Sequence, residues 1–167
     1  MPVTIYYNMT GEEITKVALG DVASNPAPGS GEAKIGISDT DWGGTTGYHC
    51  PGGVYTRRDY IVLSTDAVDS VQPYDGIPDV PADGSSFATI TAQKKNGVDA
   101  SNNLTGMDTF YVEMVSGSAY ISVVSVQLIS GAASFTVKST NTGRCKIRVY
   151  DPNNLISDST IELQFRP

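Results

Sequence analysis

With 167 residues, 40% of them hydrophobic and only 17% charged, the chain suits one ordinary domain or a domain plus a smaller appended piece, and it is too apolar for wholesale disorder. Seventeen Gly and nine Pro beside so few charges favour a turn-rich β protein over a helical bundle. The net charge of −7 excludes a surface that tracks nucleic-acid phosphates, which needs Lys and Arg to displace counterions. The most apolar run, the ten-residue "ISVVSVQLIS" at 121–130, falls well short of the roughly 20 residues of a membrane helix.

In residues 1–58, "VTIYY" (3–7) and "EEITKVAL" (12–19) predict a hairpin around "NMTGE". "ASNPAPGSGEAK" (23–34) has loop composition, and "SDTDWGGTTGYHCPGG" (38–53) is richer still in Gly and polar residues, without periodicity. Such a stretch buries too little apolar surface to fold alone with any margin. The expectation is a small irregular region, 1–58, that docks on a partner and is completed by it. Tyr6, Tyr7, Trp42, Tyr48 and Tyr55 are its candidate docking residues, because Trp and Tyr dominate interface hot spots; their other use is to pack this region onto the rest of the chain. The first basic residue is Lys16 and no apolar stretch follows Met1, so synthesis and folding in the cytoplasm are expected unless a leader has been removed.

Residues 59–167 read as successive strands: "YIVLS" (60–64), "SFATITAQ" (86–93), "DTFYVEMVS" (108–116), "AYISVVSVQL" (119–128), "ASFTVKS" (133–139), "GRCKIRVY" (143–150) and "TIELQF" (160–165). Apolar residues alternate with polar ones, as in Phe110, Val112 and Met114 against Tyr111 and Glu113, or Cys145, Ile147 and Val149 against Arg144, Lys146 and Arg148. Period-2 patterning with one wet face is the mark of antiparallel sheets. The breaks "ADGSS", "KNG", "TNTG" and "DPNN" carry turn chemistry. Short strands at regular spacing without intervening amphipathic helices predict an all-β sandwich.

Chemistry-bearing residues are sparse. "GYHCPGG" (47–53) holds the lone His, His49, beside Cys50. Neighbouring residues seldom aim their side chains at each other, no third group orients them, and zinc wants four N or S ligands; a structural Gly-Pro turn is the better reading. Cys50 and Cys145 are expected as free, buried thiols in a reducing compartment. Asp59, Asp66, Asp69, Asp75, Asp79 and Asp83 form an acidic run, to which Asp39 and Asp41 could add calcium-type oxygens, but no EF-hand spacing accompanies them; a solvated acidic loop accounts for most of it. Arg144, Lys146 and Arg148 make a cationic stripe on one strand face, suited either to an anionic polysaccharide or acidic neighbouring subunit, or to cross-strand partners such as Glu162. No catalytic residue, metal ligand set or cofactor site emerges, and no enzyme is expected.

The stretch "VPADGSSFATITAQKKNG" (80–97) resembles the opening of bacterial Ig-like domains of the invasin and intimin type. Pro81, Ala82, Asp83 and Gly84 match that family's turn, and Ala88 to Ala92 its Thr- and Ala-rich strand. "GSAYIS" (117–122), "GAASFTVKSTNTGRCKIRV" (131–149) and "STIELQF" (159–165) fall where its later strands lie. The link 65–80 is longer than usual in that family, and 1–58 match nothing in it. The resemblance implies an Ig-like β-sandwich over 59–167 and says little about ligand. Such domains are often displayed on tailed-bacteriophage capsid, tail and baseplate proteins, which are made without leaders, assembled in the host cytoplasm and released by lysis. It therefore implies a virion structural protein, a capsid decoration or head-fibre subunit. Its partners would be the major capsid protein or other virion subunits and further copies of itself in a homo-oligomer. The alternative is a tail, fibre or cell-surface adhesin module that grips host surface glycan. Neither reading involves nucleic acid or membrane insertion.

Overall fold

The computed structural model describes residues 2–10, 13–20, 22–38, 48–72, 74–97, 103–153 and 156–167. The chain divides into two compact units, Met1–Arg58 and Asp59–Pro167. Among the described residues the only helical element is a single 3₁₀ turn, Pro51–Gly53.

In the first unit, β1 (Val3–Asn8) is the centre of a three-stranded antiparallel sheet between β2 (Ile14–Leu19) and β3 (Glu32–Ile37). The expected hairpin is present, with Val3 opposite Leu19 and Ile5 opposite Val17. The loop expected over 23–34 gives way at Glu32 to a third strand, in which Ile35 faces Ile5 and Ile37 faces Val3. The alternation of Ala33, Ile35 and Ile37 with Lys34 and Gly36 is short and follows a Pro/Gly-rich run, so composition masks it. The unit is accordingly more regular than its sequence predicts. A two-residue ladder, β4 (Tyr48–His49) with β5 (Thr56–Arg57), flanks the 3₁₀ turn.

The second unit is an antiparallel sandwich with one parallel edge. One sheet runs β10 (Tyr120–Ile121), β12 (Ala132–Lys138), β8 (Ala88–Lys95), β6 (Tyr60–Thr65); the other runs β11 (Ser125–Gln127), β9 (Thr109–Ser116), β13 (Gly143–Tyr150), β14 (Ser159–Arg166), β7 (Asp79–Pro81). Their inner faces interlock through Ile90, Phe135 and Val137 on one side and Phe110, Ile147, Leu163 and Phe165 on the other, all buried. Each such side chain contributes about 1.5–3 kcal/mol on burial, which makes this layer the main source of the unit's stability.

Two details differ from the strand reading. The run 119–128 is two strands in different sheets: Ile121 pairs with Val137 of β12, whereas Val126 pairs with Phe110 of β9. Between them the chain crosses the edge of the sandwich, with Ser122 N–H donating to Thr136 and Val124 accepting from Val112 N–H. Alternation survives such a crossing, because both halves still point one side chain in two toward the shared core. The second detail is β7, which lies at the start of the predicted turn and pairs parallel to the last strand, Val80 beside Phe165. Pro78 precedes it and Pro81 is its last residue, and residues without an N–H belong at a sheet edge.

Two turns require glycine. Gly117 (φ +86°) follows β9, and a Cβ there would overlap the backbone of Arg144 and Cys145; at Gly131 (φ +79°) it would overlap the carbonyl of Leu104. Gly117→Ala and Gly131→Ala are each expected to lower the stability of the sandwich by at least about 2 kcal/mol, read as an earlier midpoint in urea unfolding; an unchanged midpoint would mean these backbones part freely.

Candidate functional site

Both faces of the first unit's sheet carry packing, by different means. On one face Val3 and Ile5 are buried with Cys50, and Tyr7, Ile14, Ile35, Ile37 and Tyr55 pack around them. On the other face the register sets Lys16, Tyr6 and Lys34 in one row and Ala18, Thr4 and Gly36 in the next. The segment 22–26 lies over these rows. Lys34 Nζ donates to the carbonyls of Val22 and Asn25, at 2.7 Å each, and of Pro26 at 3.2 Å. Tyr6 donates its hydroxyl to Pro26 (2.7 Å), and Thr4 donates to Gly20 (2.9 Å) while accepting from Asn25 Nδ2. One lysine and one tyrosine thus hold a Pro/Gly-rich loop that has no ladder of its own.

The candidate docking residues are dispersed by this arrangement. Tyr6 is buried and its ring lies under Lys16, 5.0 Å from Nζ, so it serves the unit's interior and presents no ring to a partner. Tyr7 is half-buried against the Val3–Ile5 cluster. Tyr48 and Tyr55 stack on each other, ring centroids 4.7 Å apart and 4° from parallel. Trp42, Asp39 and Asp41 lie outside the described residues.

The sheet's apolar side is not covered throughout. Leu19, Val3 and Ile37 form one cross-strand row and Val17, Ile5 and Ile35 the next. Val3 and Ile5 are buried, but on the edge strand β2 Leu19 is 66% and Val17 38% exposed. Sequence reasoning missed these two: their alternation with Lys16 and Ala18 signals a strand, and nothing local tells an edge strand from a central one. An edge also presents unpaired backbone N–H and C=O groups, a template for another strand.

On the sandwich, the cationic stripe is neutralised. Arg144 meets Asp75 at 2.6 Å, Lys146 meets Glu162 at 3.2 Å, and Arg148 bridges Glu113 (3.0 Å) and Asp158 (2.5 Å) while lying 4.8 Å from the Tyr150 ring centroid. Four carboxylates thus surround three cations, so the stripe offers little net charge to a polyanion. The acidic run is likewise spent on the fold. Asp66 accepts from Thr89 N–H, Asp69 from Gly76 N–H and Asp59 from Gly97 N–H. Asp83 accepts from Ser85 N–H and from the Ser86 N–H and hydroxyl, which holds its carboxyl below the usual range. Asp79 accepts from Ser70 and Val71 N–H and pairs with Arg166 at 2.6 Å; the guanidinium bond is the main reason its carboxyl too sits low. Asp66, Asp69 and Asp79 thus tie down parts of the link between β6 and β7, and among the described residues no three His, Cys, Asp or Glu gather to hold a metal.

Both cysteines are buried and neither is in a disulfide. Burial, opposed by a Leu163 backbone hydrogen bond and reinforced by nearby Glu162, pushes the Cys145 thiol up to about 11, far from a nucleophile's range. His49 is half-buried in the short β4–β5 ladder.

No family model matches the sequence, and no curated protein matches it. Solved structures do. The D00-D0 domain of intimin aligns with 98% of this chain and 84% of its own at 15% identity and a TM-score of 0.52. The D0-D1 domain of intimin aligns at 22% identity and a TM-score of 0.49 over 63% of this chain, which spans about half (47%) of that fragment. A glycosyl hydrolase family 2 member from Bacteroides cellulosilyticus, at 12% identity and a TM-score of 0.52, covers 99% of this chain, but the match takes in only 22% of the enzyme. At these identities the likeness is one of fold. The sandwich has the intimin-type Ig-like fold implied by the 80–97 motif, and the hydrolase shares architecture without bearing on catalysis.

Two measurements check this chemistry. Neither Cys145 nor Cys50 is expected to react with a thiol reagent at pH 8 until the protein is unfolded; fast native labelling would contradict the burial. Because the folded pKa of Asp79 is depressed, its stabilisation is complete above about pH 4, the ordinary aspartate range, and is lost as pH falls through the lower folded value. Asp79→Asn should therefore be less stable than wild type at pH 7 and show a shallower loss of stability on acidification below pH 4.

Proposed function

We propose that the chain is a non-enzymatic structural protein of a bacteriophage particle, most simply a capsid decoration or head-fibre subunit. Its N-terminal unit docks on the shell, and its Ig-like unit is displayed to solvent. The observation that carries this reading is the apolar edge of the first sheet, where Leu19 and Val17 continue two buried rows yet stand exposed. Natural edge strands are usually short, charged or covered, and one left open with apolar side chains suits pairing with a strand of a shell subunit or of another copy in a symmetric oligomer. Decoration acts through added interface area rather than chemistry. The display half of the reading is supported by the intimin-type fold of the second unit together with the strand motifs through which its sequence resembles Ig-like modules of virion proteins.

A tail-fibre or cell-surface adhesin module is the second reading. It shares the outward sandwich and differs in where the first unit attaches.

The test is co-sedimentation with empty capsids assembled from a tailed-phage major capsid protein, taken from the genes flanking this one where they encode it. Wild-type protein should pellet with them. Val17→Lys/Leu19→Lys, in the full chain, should bind about tenfold more weakly, since burying the part of Leu19 and Val17 that is still exposed is worth about 1–2 kcal/mol together and 1.4 kcal/mol is a factor of ten. A circular-dichroism spectrum and melt matching wild type would confirm that the variant folds. Undiminished binding by the folded double variant would overturn the docking surface, and absence of wild-type binding would overturn the capsid role.

A further inference from the structure

Among the described residues, the outer face of the four-stranded sheet holds a cation that meets no carboxylate. Asp59–Pro167 contains seven Lys and Arg side chains. Lys94, Arg144, Lys146, Arg148 and Arg166 all meet carboxylates, and Lys95 meets the side-chain oxygen of Asn103. Lys138 on β12 has no carboxylate partner among the described residues. Its Nζ lies 5.9 Å from the ring centroid of Tyr120, the residue directly opposite on β10. Tyr120 is 61% exposed, and so is 56% of Phe87, which immediately precedes Ala88, the β8 partner of Val137. Carried one residue beyond the end of β8, that register sets Phe87 on the side of Lys138 away from Tyr120, so the order reads aromatic, lysine, aromatic. Neighbouring strands lie about 4.8 Å apart, so the backbones that carry the two rings are about 10 Å apart, on the scale of a disaccharide.

Polar groups adjoin this row. Ser118, Thr140 and Asn141 line, with Tyr120 and Lys138, a cleft of about 190 Å³. Its lining includes no carboxylate. The nearby Asp83 is engaged by Ser85 and Ser86, and Asp66 at the far edge is engaged by Thr89. In a chain of net charge −7 this is a local reversal of sign, with an exposed ring on either side of the cation.

We propose that Tyr120, Lys138 and Phe87, with the adjoining cleft, form a binding site for an acidic polysaccharide and take a hexuronate residue. The C–H face of the pyranose stacks on an aromatic ring, its carboxylate pairs with Lys138, and its hydroxyls meet Ser118, Thr140 and Asn141. One lysine matches one carboxylate per sugar, whereas nucleic acid would need a run of cations along the backbone. This site lies in the second unit and does not rest on the docking role.

Affinity electrophoresis of the full chain through gels containing polygalacturonate, with dextran as the neutral control, tests it. Wild type should be retarded by polygalacturonate and not by dextran. Lys138→Gln and Tyr120→Ala, both surface changes, should each weaken retardation about tenfold, and Arg144→Gln/Lys146→Gln/Arg148→Gln should leave it unchanged. In a ¹⁵N-labelled sample the amide signals of Tyr120 and Lys138 should shift on adding oligogalacturonate. Equal retardation by dextran, no retardation by polygalacturonate, or full retention in folded Lys138→Gln would each overturn the proposal. None of these outcomes bears on capsid docking, which is read through Val17 and Leu19.

Discussion

The interlock of Ile90, Phe135 and Val137 with Phe110, Ile147, Leu163 and Phe165 is the contact on which the rest of the second unit depends. Once these residues face inward, the period of two sends every intervening residue to solvent. Arg144, Lys146 and Arg148 are then bound to share an outer face with Glu113 and Glu162, because β13 is paired on both flanks, with β9 and with β14. The ion pairs follow from core registry. Exposed pairs of this sort contribute about 0–1 kcal/mol each, so their main effect is to consume charge rather than to hold the fold.

That consumption separates the two outer faces. The five-stranded sheet spends its cations on carboxylates, and the four-stranded sheet presents hydroxyls, such as Thr91 and Ser134 in mutual contact at 2.9 Å, with Lys138 meeting no carboxylate among the described residues. A basic stripe in the sequence is therefore a poor guide to an anion site when the strands beside it are acidic. The setting of Lys138 could not be read the same way from sequence, because its neighbours come from separate segments of chain, around residues 87, 120 and 138.

The first unit shows how a Pro/Gly-rich stretch can be ordered without a ladder. Segment 22–26 offers carbonyls that Lys34 and Tyr6 satisfy, and Asn25 ties it to Thr4. Those bonds occupy one face of the sheet, and Cys50 with Tyr55 covers part of the other, which leaves the β2 edge as the exposed apolar margin. Loop composition at 23–34 concealed the third strand, and aromatic content pointed to Tyr6 as a docking residue when its ring is an internal strut.

The strand sequence alone determined the all-β class, the inward sets on β8, β9, β13 and β14, and the Ig-like motif at 80–97, because alternation and turn residues are local signals read over a few positions. Tertiary structure decided the crossing at Ser122–Val124, the parallel pairing of Val80 with Phe165, the neutralisation of the β13 cations, and the exposure of Val17 and Leu19. Each of these depends on which distant segment lies alongside, and the same alternating pattern is written for an edge strand as for a central one, for a paired lysine as for an unpaired one.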